Sequence, residues 1–356
     1  MSGRPRIVFL DMNVWVEMAK GVSHGAARWQ QRVDALATLV RDGHVRIVIS
    51  PGLYLELWHR GTQKSRDDVG RLVRDLSDYA TFAPLTAIRK REVEAYVRRH
   101  IGASSWVTAD DVLGEGACFA FGSRFGRFRF VEYLAAEDGS VPEGRAVAAP
   151  DEWLKTDWRG PQWEWLNLVG TAEIVESPGI ERRPQHRIGD EWVHREQALR
   201  HLVLQYPEAR RRLRDLIVVD EVQDLTTAIN QACWDARVQP HGLFMENPGF
   251  DSPASGMRAF VSGLPSVDAL TTFREWKHRD LNHSWDQHDH TDLVNLSMAV
   301  PYADVIVTER RWAHLAHASG LVNRYGSVVV GIRHLDEVIY WLSRRTQASY
   351  GISVRP

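Results

Sequence analysis

The sequence predicts an α/β fold, a parallel sheet flanked by helices and interrupted by a large, mainly helical insertion. Three observations carry that prediction. Short apolar runs at 7–10, 45–49, 304–309 and 327–332 have the length and β-branched content of strands buried on both faces. Stretches with helical spacing separate or follow them, which is the rhythm of parallel strands joined by helical crossovers. That rhythm stops near Gly102 and resumes only after Pro248.

The first run, Ile7-Val8-Phe9-Leu10, ends on Asp11, with Asn13 two positions later. On an extended backbone an i, i+2 pair faces one side, so Asp11 and Asn13 are expected to point together from the carboxyl end of a strand. Trp29, Val33, Leu36 and Val40 keep helical spacing until Asp42-Gly43 breaks it. The strand at 45–49 runs into Ser50-Pro51, a serine N-cap with proline at the first helical position. The helix after it carries Leu53, Glu56, Leu57 and His59. Val69, Leu72, Val73, Leu76 and Tyr79 outline another, and 89–101 a third.

Between them and the closing part, glycines (114, 116, 122, 126), prolines (142, 150, 161, 178, 184) and scattered tryptophans mark a loop-rich stretch. Long helical patterns follow at 196–206 and 210–238. Val267, Leu270 and Phe273 then suit a helix, and Thr291 is placed to cap another that begins with Asp292. The strand at 304–309 ends on Glu309, a helix covers 312–318, a last strand 327–332, and Leu335, Val338, Ile339 and Leu342 form the closing helix. The simplest division is one α/β domain made of 1–101 and 263–356, with 102–262 inserted.

Composition narrows the function. With 44% hydrophobic and 25% charged residues the chain of 356 residues is an ordinary globular mixture. Lys and Arg number 44 against 46 Asp and Glu, so any basic, nucleic-acid-binding surface has to be local. Cys118 and Cys233 are the only cysteines; they form no disulfide framework or zinc knuckle, and a reducing, cytoplasmic setting is expected. The apolar stretch after Arg4 and Arg6 is short and ends on Asp11, so no signal peptide is expected, and no run is long enough to cross a bilayer. There is no G-x-S-x-G elbow, no strand followed by G-x-G-x-x-G, and no His pattern beside either cysteine.

Four acids stand out by position. Asp11 ends the first strand, Glu56 lies one turn into the helix after the second, Asp292 opens the helix before the third, and Glu309 ends that strand. In a parallel sheet, strand ends and the first turns of the following helices share one rim, where ligands bind. Asp292 precedes its strand and reaches that rim by another route.

The segments Val8-Phe9-Leu10-Asp11-Met12-Asn13-Val14, Ile47-Val48-Ile49-Ser50-Pro51-Gly52-Leu53-Tyr54-Leu55-Glu56 and Asp292 to Ala299, running into Ala303-Asp304-Val305-Ile306-Val307-Thr308-Glu309, together resemble the PIN-like (PilT N-terminus) nuclease family. The resemblance covers about the first hundred and the last seventy residues. It implies a metal-dependent nuclease acting mostly on RNA, with Asp11, Glu56, Asp292 and Glu309 as catalytic acids and ligands of Mg2+ or Mn2+. Asn13 and Thr308 would be supporting polar groups, and Asp289, one helical turn before Asp292, a reserve ligand. Two departures stand: Glu309 follows Thr308 directly, with Arg310 in the family's usual acid position, and the span from Glu56 to Asp292 is long. Small members often work as toxins paired with antitoxins, so the resemblance allows a protein partner or antitoxin, and the oligomeric state is open.

The chemistry agrees with the resemblance. Magnesium takes hard oxygen ligands, keeps several waters and needs one or two direct carboxylates. Arg310 and Arg311, beside the proposed rim, have the best positions for a substrate phosphate. Alternatives are a catalytically inactive module of the same fold that binds RNA or protein, and a DNA-directed nuclease with the same metal site.

Other motifs rank lower. Leu216 to Leu225, with Asp220-Glu221 and Asp224, looks like the acidic motif of superfamily 1 helicases but lacks a phosphate loop and keeps helical period, so a charged-faced helix is expected. His283, His288 and His290 crowd Asp286 and Asp289, without a cysteine, which argues against zinc. Aromatics and arginines alternate from Phe119 to Phe130, a stacking surface for bases or, more simply, a half-buried strand with arginines outward. The basic clusters at 90–99 and 210–214 read as solvated helix faces.

Overall fold

The computed structural model describes residues 4–133, 144–176, 184–245, 251–280 and 284–344. Eight strands occur among them: β1 (Arg6–Leu10), β2 (Val45–Val48), β3 (Ala80–Phe82), β4 (Leu113–Glu115), β5 (Val131–Tyr133), β6 (Gly144–Ala146), β7 (Val305–Thr308) and β8 (Val328–Gly331). Four of them make the expected parallel sheet, in the order β2-β1-β7-β8. The register pairs Val8 with Ile47 and with Val305, and Ile306 with Val329.

The apolar alternation of these strands fills two cores. Val8, Leu10, Ile47, Val305, Val307 and Val330 face one side, where they meet Val14, Trp15, Leu36, Leu53, Val73 and Leu335 from the helices. Ile7, Phe9, Val48, Ile306 and Val329 face the other, against Ile88, Phe273, Leu293, Leu296 and Trp312. Each strand is therefore buried on both faces, which is why it reads as a continuous apolar run. A third cluster joins Val93 and Val97 of the helix Leu85–His100 to Val218, Ile229, Phe260 and Val267.

Most expected elements appear with small shifts at their ends. Helices occupy Ala27–Arg41, Pro51–Leu57, Gln63–Ser77, Leu85–His100, Pro265–Arg279, Arg310–Ala318 and Leu335–Arg344. Ser50 is the N-cap as expected, its hydroxyl accepting from Leu53 N at 3.2 Å.

Four expectations need correction. Asn13 is not on extended backbone: a helix, Met12–Ser23, starts directly after Asp11, which caps it. Thr291 is not a cap. Its helix, Gln287–Tyr302, begins a turn earlier, where Asp286 and Asp289 form a reciprocal capping box, so Asp292 lies in the second turn. The pattern at 210–238 is broken into Pro207–Arg211, Leu213–Asp224 and Thr226–Ala236, because the apolar period persists across the short interruptions. The stretch 119–130 is not a strand: a short helix, Gly116–Ala120, gives way to turns before β5. Within 102–262 three short strands also occur, β4 pairing antiparallel with β3 and β5 with β6.

No helix among the described residues is long and apolar enough to cross a membrane.

Candidate metal centre

From β1 the chain crosses to one neighbour, β2; on the other side β1 pairs with β7, which arrives much later in sequence. The carboxyl ends of β1 and β7 therefore flank a topological switch point, the place where open α/β sheets leave a crevice. Asp11 follows β1 immediately and Glu309 follows β7. The hydrogen bond from Asp11 N to Val307 O, 2.9 Å, keeps the two chain ends paired one residue past the strand.

Asp11 is buried, 3% exposed, and both of its oxygens are engaged. Oδ1 accepts from Met12 N at 2.8 Å as the helix cap, and Oδ2 accepts from Thr308 Oγ1 at 2.6 Å. Burial raises the pKa of this carboxyl above its ordinary value, against the lowering effect of those two donors, while Glu309 adds repulsion. Asn13, in the first turn, still reaches the site, where its Nδ2 donates to Glu309 Oε1.

Glu56 arrives from the helix Pro51–Leu57. Burial pushes its pKa well up, and repulsion from Asp292, then Asp11, then Glu309 pushes it further. That order shows all four acids within electrostatic reach of one another. The closeness of Glu56 to Asp292 has a local cause. A Cβ on Gly52 would lie 2.5 Å from Asn295 Oδ1, so only glycine lets this helix approach the helix Gln287–Tyr302 so tightly. Glu56 is one turn beyond Gly52, and Asp292 one turn before Asn295.

Asp292 Oδ2 accepts from the Trp312 indole, Nε1, at 2.9 Å and from Arg311 Nη2 at 3.3 Å. Burial first, and the charge on Asp11 second, push its pKa up to about 8. Asp289 is fully buried and already committed: Lys277 Nζ lies 2.9 Å from its Oδ2, and the Asp286 backbone N donates to that oxygen at 2.7 Å. Arg310 is exposed, in the first turn of its helix, and has no ion pair among the described residues. Arg311 points at the acids, 3.2 Å from Asp289, 3.3 Å from Asp292 and 3.4 Å from Glu309.

Hydrogen bonds join Asp11 to Thr308 and Asn13 to Glu309, Arg311 stands beside Asp289, Asp292 and Glu309, Glu56 is linked to the other acids through repulsion alone, and Arg310 stays on the surface. Arg311 accompanies carboxylates, and Asp289 belongs to a cap and a lysine. Trp312, Lys277 and the Gly52–Asn295 contact went unforeseen. Trp312 had a signal, a large aromatic in the first turn of a helix beginning at the rim, whereas a lysine that folds under Trp285 and Trp312 leaves no sequence pattern.

The donor set suits a hard divalent cation held by one or two carboxylates with waters completing the shell. Repulsion among buried acids is also the condition that such a cation relieves. As the side chains stand, no group of three or more His, Cys, Asp or Glu among the described residues is gathered closely enough to ligate a metal at once.

The remaining charged motifs are structural. Asp220 and Glu221 lie on the expected helix, Leu213–Asp224, and pair with Arg274 at 2.6 Å each, while Glu221 also takes Arg89 at 2.9 Å. Glu196 pairs with Arg274 at 2.7 Å and with His278 Nε2 at 2.6 Å. Of the clustered histidines, His283 lies outside the described residues. His290 packs beside the Trp192 ring, and burial pushes its pKa down to about 4. In the Phe119–Phe130 stretch Arg127 turns inward, while Arg124 and Arg129 stay exposed. Arg127 lies 3.4 Å from the Trp58 ring centre and donates to Tyr54 O at 2.9 Å, and Arg129 donates to Gly126 O at 2.8 Å. Phe125, Phe128 and Phe130 pack on Trp153, which stacks on Trp158, so these rings are occupied by one another.

Comparison with protein-family models, with curated proteins and with solved structures gives no match.

Proposed function

We propose that this chain is a divalent-metal-dependent nuclease that hydrolyses phosphodiester bonds at the rim between β1 and β7, with RNA as its substrate. The observation that carries the reading is the convergence, at a topological switch point, of acids from four distant segments: Asp11, Glu56, Asp292 and Glu309. Buried carboxylates that raise one another's pKa destabilise a fold unless the arrangement serves a charge, and perturbed acids in such a crevice mark functional sites. The choice of RNA rests on the resemblance to the PIN-like family.

In this reading Asp11 and Asp292 hold Mg2+ or Mn2+, with Glu56 and Glu309 completing the anionic wall. A bound divalent ion would acidify water and neutralise charge on the scissile phosphate. Thr308 and the Met12 amide fix the Asp11 carboxylate, the Trp312 indole fixes Asp292, and Asn13 orients Glu309. Glu56, whose pKa burial and the neighbouring acids raise well above the ordinary carboxyl value, would exchange a proton with water at this wall. Arg310, exposed beside the wall, is free to hold the substrate backbone.

The test is Asp11→Asn, which keeps shape and hydrogen-bonding oxygen but removes the charge. Cleavage of single-stranded RNA in Mn2+ should fall at least about a hundredfold, with circular dichroism and melting unchanged. An undiminished metal-dependent rate rejects the assignment. Parallel assays on single-stranded DNA and structured RNA separate the substrate classes.

One observation favours a second reading, a module of the same fold that binds without cutting. Arg311 puts a guanidinium among the acids where a cation would be needed. Calorimetry decides between them, because complete absence of Mg2+ and Mn2+ binding at neutral pH supports the non-cleaving module.

A further inference from the structure

We propose that Arg311 is an internal competitor for the divalent cation, and that the phosphate of a nucleic-acid substrate draws it off the carboxylates, so that metal and substrate bind cooperatively. The proposal rests on the metal-dependent reading above and assigns a coupling role to a residue of that site.

The geometry is that of a shared and loosely held cation. Nη2 of Arg311 stands 3.2 Å from Asp289 Oδ1 and 3.3 Å from Asp292 Oδ2, and Nε stands 3.4 Å from Glu309 Oε2. A guanidinium paired for its own sake makes shorter, two-pronged contacts with one carboxylate, near 2.7–2.9 Å. The charge of Asp289 is already matched by Lys277, 2.9 Å from its Oδ2, while its Oδ1 stands buried without a hydrogen bond beside Arg311. What Arg311 uniquely neutralises is therefore the Asp292–Glu309 side of the wall.

The side chain is also able to leave. It is 42% exposed, and it sits in the first turn of the helix Arg310–Ala318 at the open edge of the crevice. Its guanidinium lies 4.6 Å from the Trp312 ring centre, a face on which an arginine can rest while its fork turns outward.

Electrostatics makes the two cations exclude each other. A divalent ion among these oxygens would sit within a few ångströms of the guanidinium, and like charges that close repel strongly in a partly desolvated crevice. A phosphodiester offers Arg311 the planar, two-oxygen partner that its fork fits. Substrate then lowers the barrier to metal binding, and by linkage metal favours substrate by the same factor.

The experiment measures Mn2+ affinity of the full chain by calorimetry at neutral pH. It compares wild type with Arg311→Gln, each with and without a single-stranded phosphorothioate oligoribonucleotide that resists cleavage. Melting curves establish that the variant is folded, and Arg311→Met serves as a second variant. Wild type alone should bind Mn2+ weakly. Arg311→Gln should bind roughly tenfold more tightly, the repulsion being discounted for exposure. The oligonucleotide should tighten Mn2+ by a similar factor in wild type and by little in the variant. Equal Mn2+ affinities in wild type and both variants overturn the coupling role and leave the metal site standing. Failure of every form to bind Mn2+, with the fold intact, overturns the metal site and the coupling together.

Discussion

Two oxygens decide how Asp11 behaves. One caps a helix and the other takes the Thr308 hydroxyl at 2.6 Å, so the carboxylate is fixed before any ligand arrives. Thr308→Val, which keeps the β-branched shape, should lower cleavage by about tenfold to a hundredfold, in the range for outer groups that orient a metal ligand. Its melting temperature should change little, and a rate equal to wild type would remove Thr308 from the site. Asp292 gives a prediction about pH. Its folded pKa, raised to about 8, lies above the ordinary carboxyl value, so between those values the folded state holds a proton that the unfolded state has released. Stability of the metal-free protein should therefore fall as pH rises from about 4 to about 8. Asp292→Asn should flatten that slope and raise the melting temperature at pH 8. A slope unchanged by the substitution would mean that Asp292 does not carry the strain.

Two helices set the spacing of the acids. Gly52 in Pro51–Leu57 meets Asn295 in Gln287–Tyr302, and Asn295 is 2% exposed, so its amide has nowhere to move. Gly52→Ala should cost about 1–3 kcal/mol from overpacking, offset by up to about 1 kcal/mol from better helix propensity. Because it separates Glu56 from Asp292, it should also weaken Mn2+ binding. Adding Asn295→Ala should restore stability and metal affinity together, measured by urea denaturation and calorimetry; no recovery would place the effect elsewhere.

Across the whole molecule, the charges at the rim differ in kind from those beneath the helices. Arg274, 2% exposed, neutralises Glu196, Asp220 and Glu221 from two other helices and so ties the helix Pro265–Arg279 to Pro184–Gln205 and Leu213–Asp224. Those acids have cations of their own, whereas among the described residues the only cation paired with Asp292 and Glu309 is the half-exposed Arg311. Arg274→Met should therefore cost about 3–5 kcal/mol, since it strands buried carboxylates. It should leave Mn2+ affinity of the folded protein unchanged. A loss of metal affinity without a loss of stability would mean that this network belongs to the site.

The sequence by itself determined the four strands of the parallel sheet and most of the flanking helices, because burial on both faces writes a short apolar run and a helix writes a 3.6-residue period, both local in the chain. Ser50-Pro51 and the pattern of Leu216 to Leu225 were legible for the same reason. Only the tertiary structure decided that Asp11 begins a helix, that Asp286 rather than Thr291 caps the helix of Asp292, and that Arg127 turns inward. It alone paired Lys277 with Asp289 and set Arg311 among the carboxylates. Side chains distant in sequence meet there through packing and the Coulomb energy of desolvated groups, and neither leaves a period in the chain.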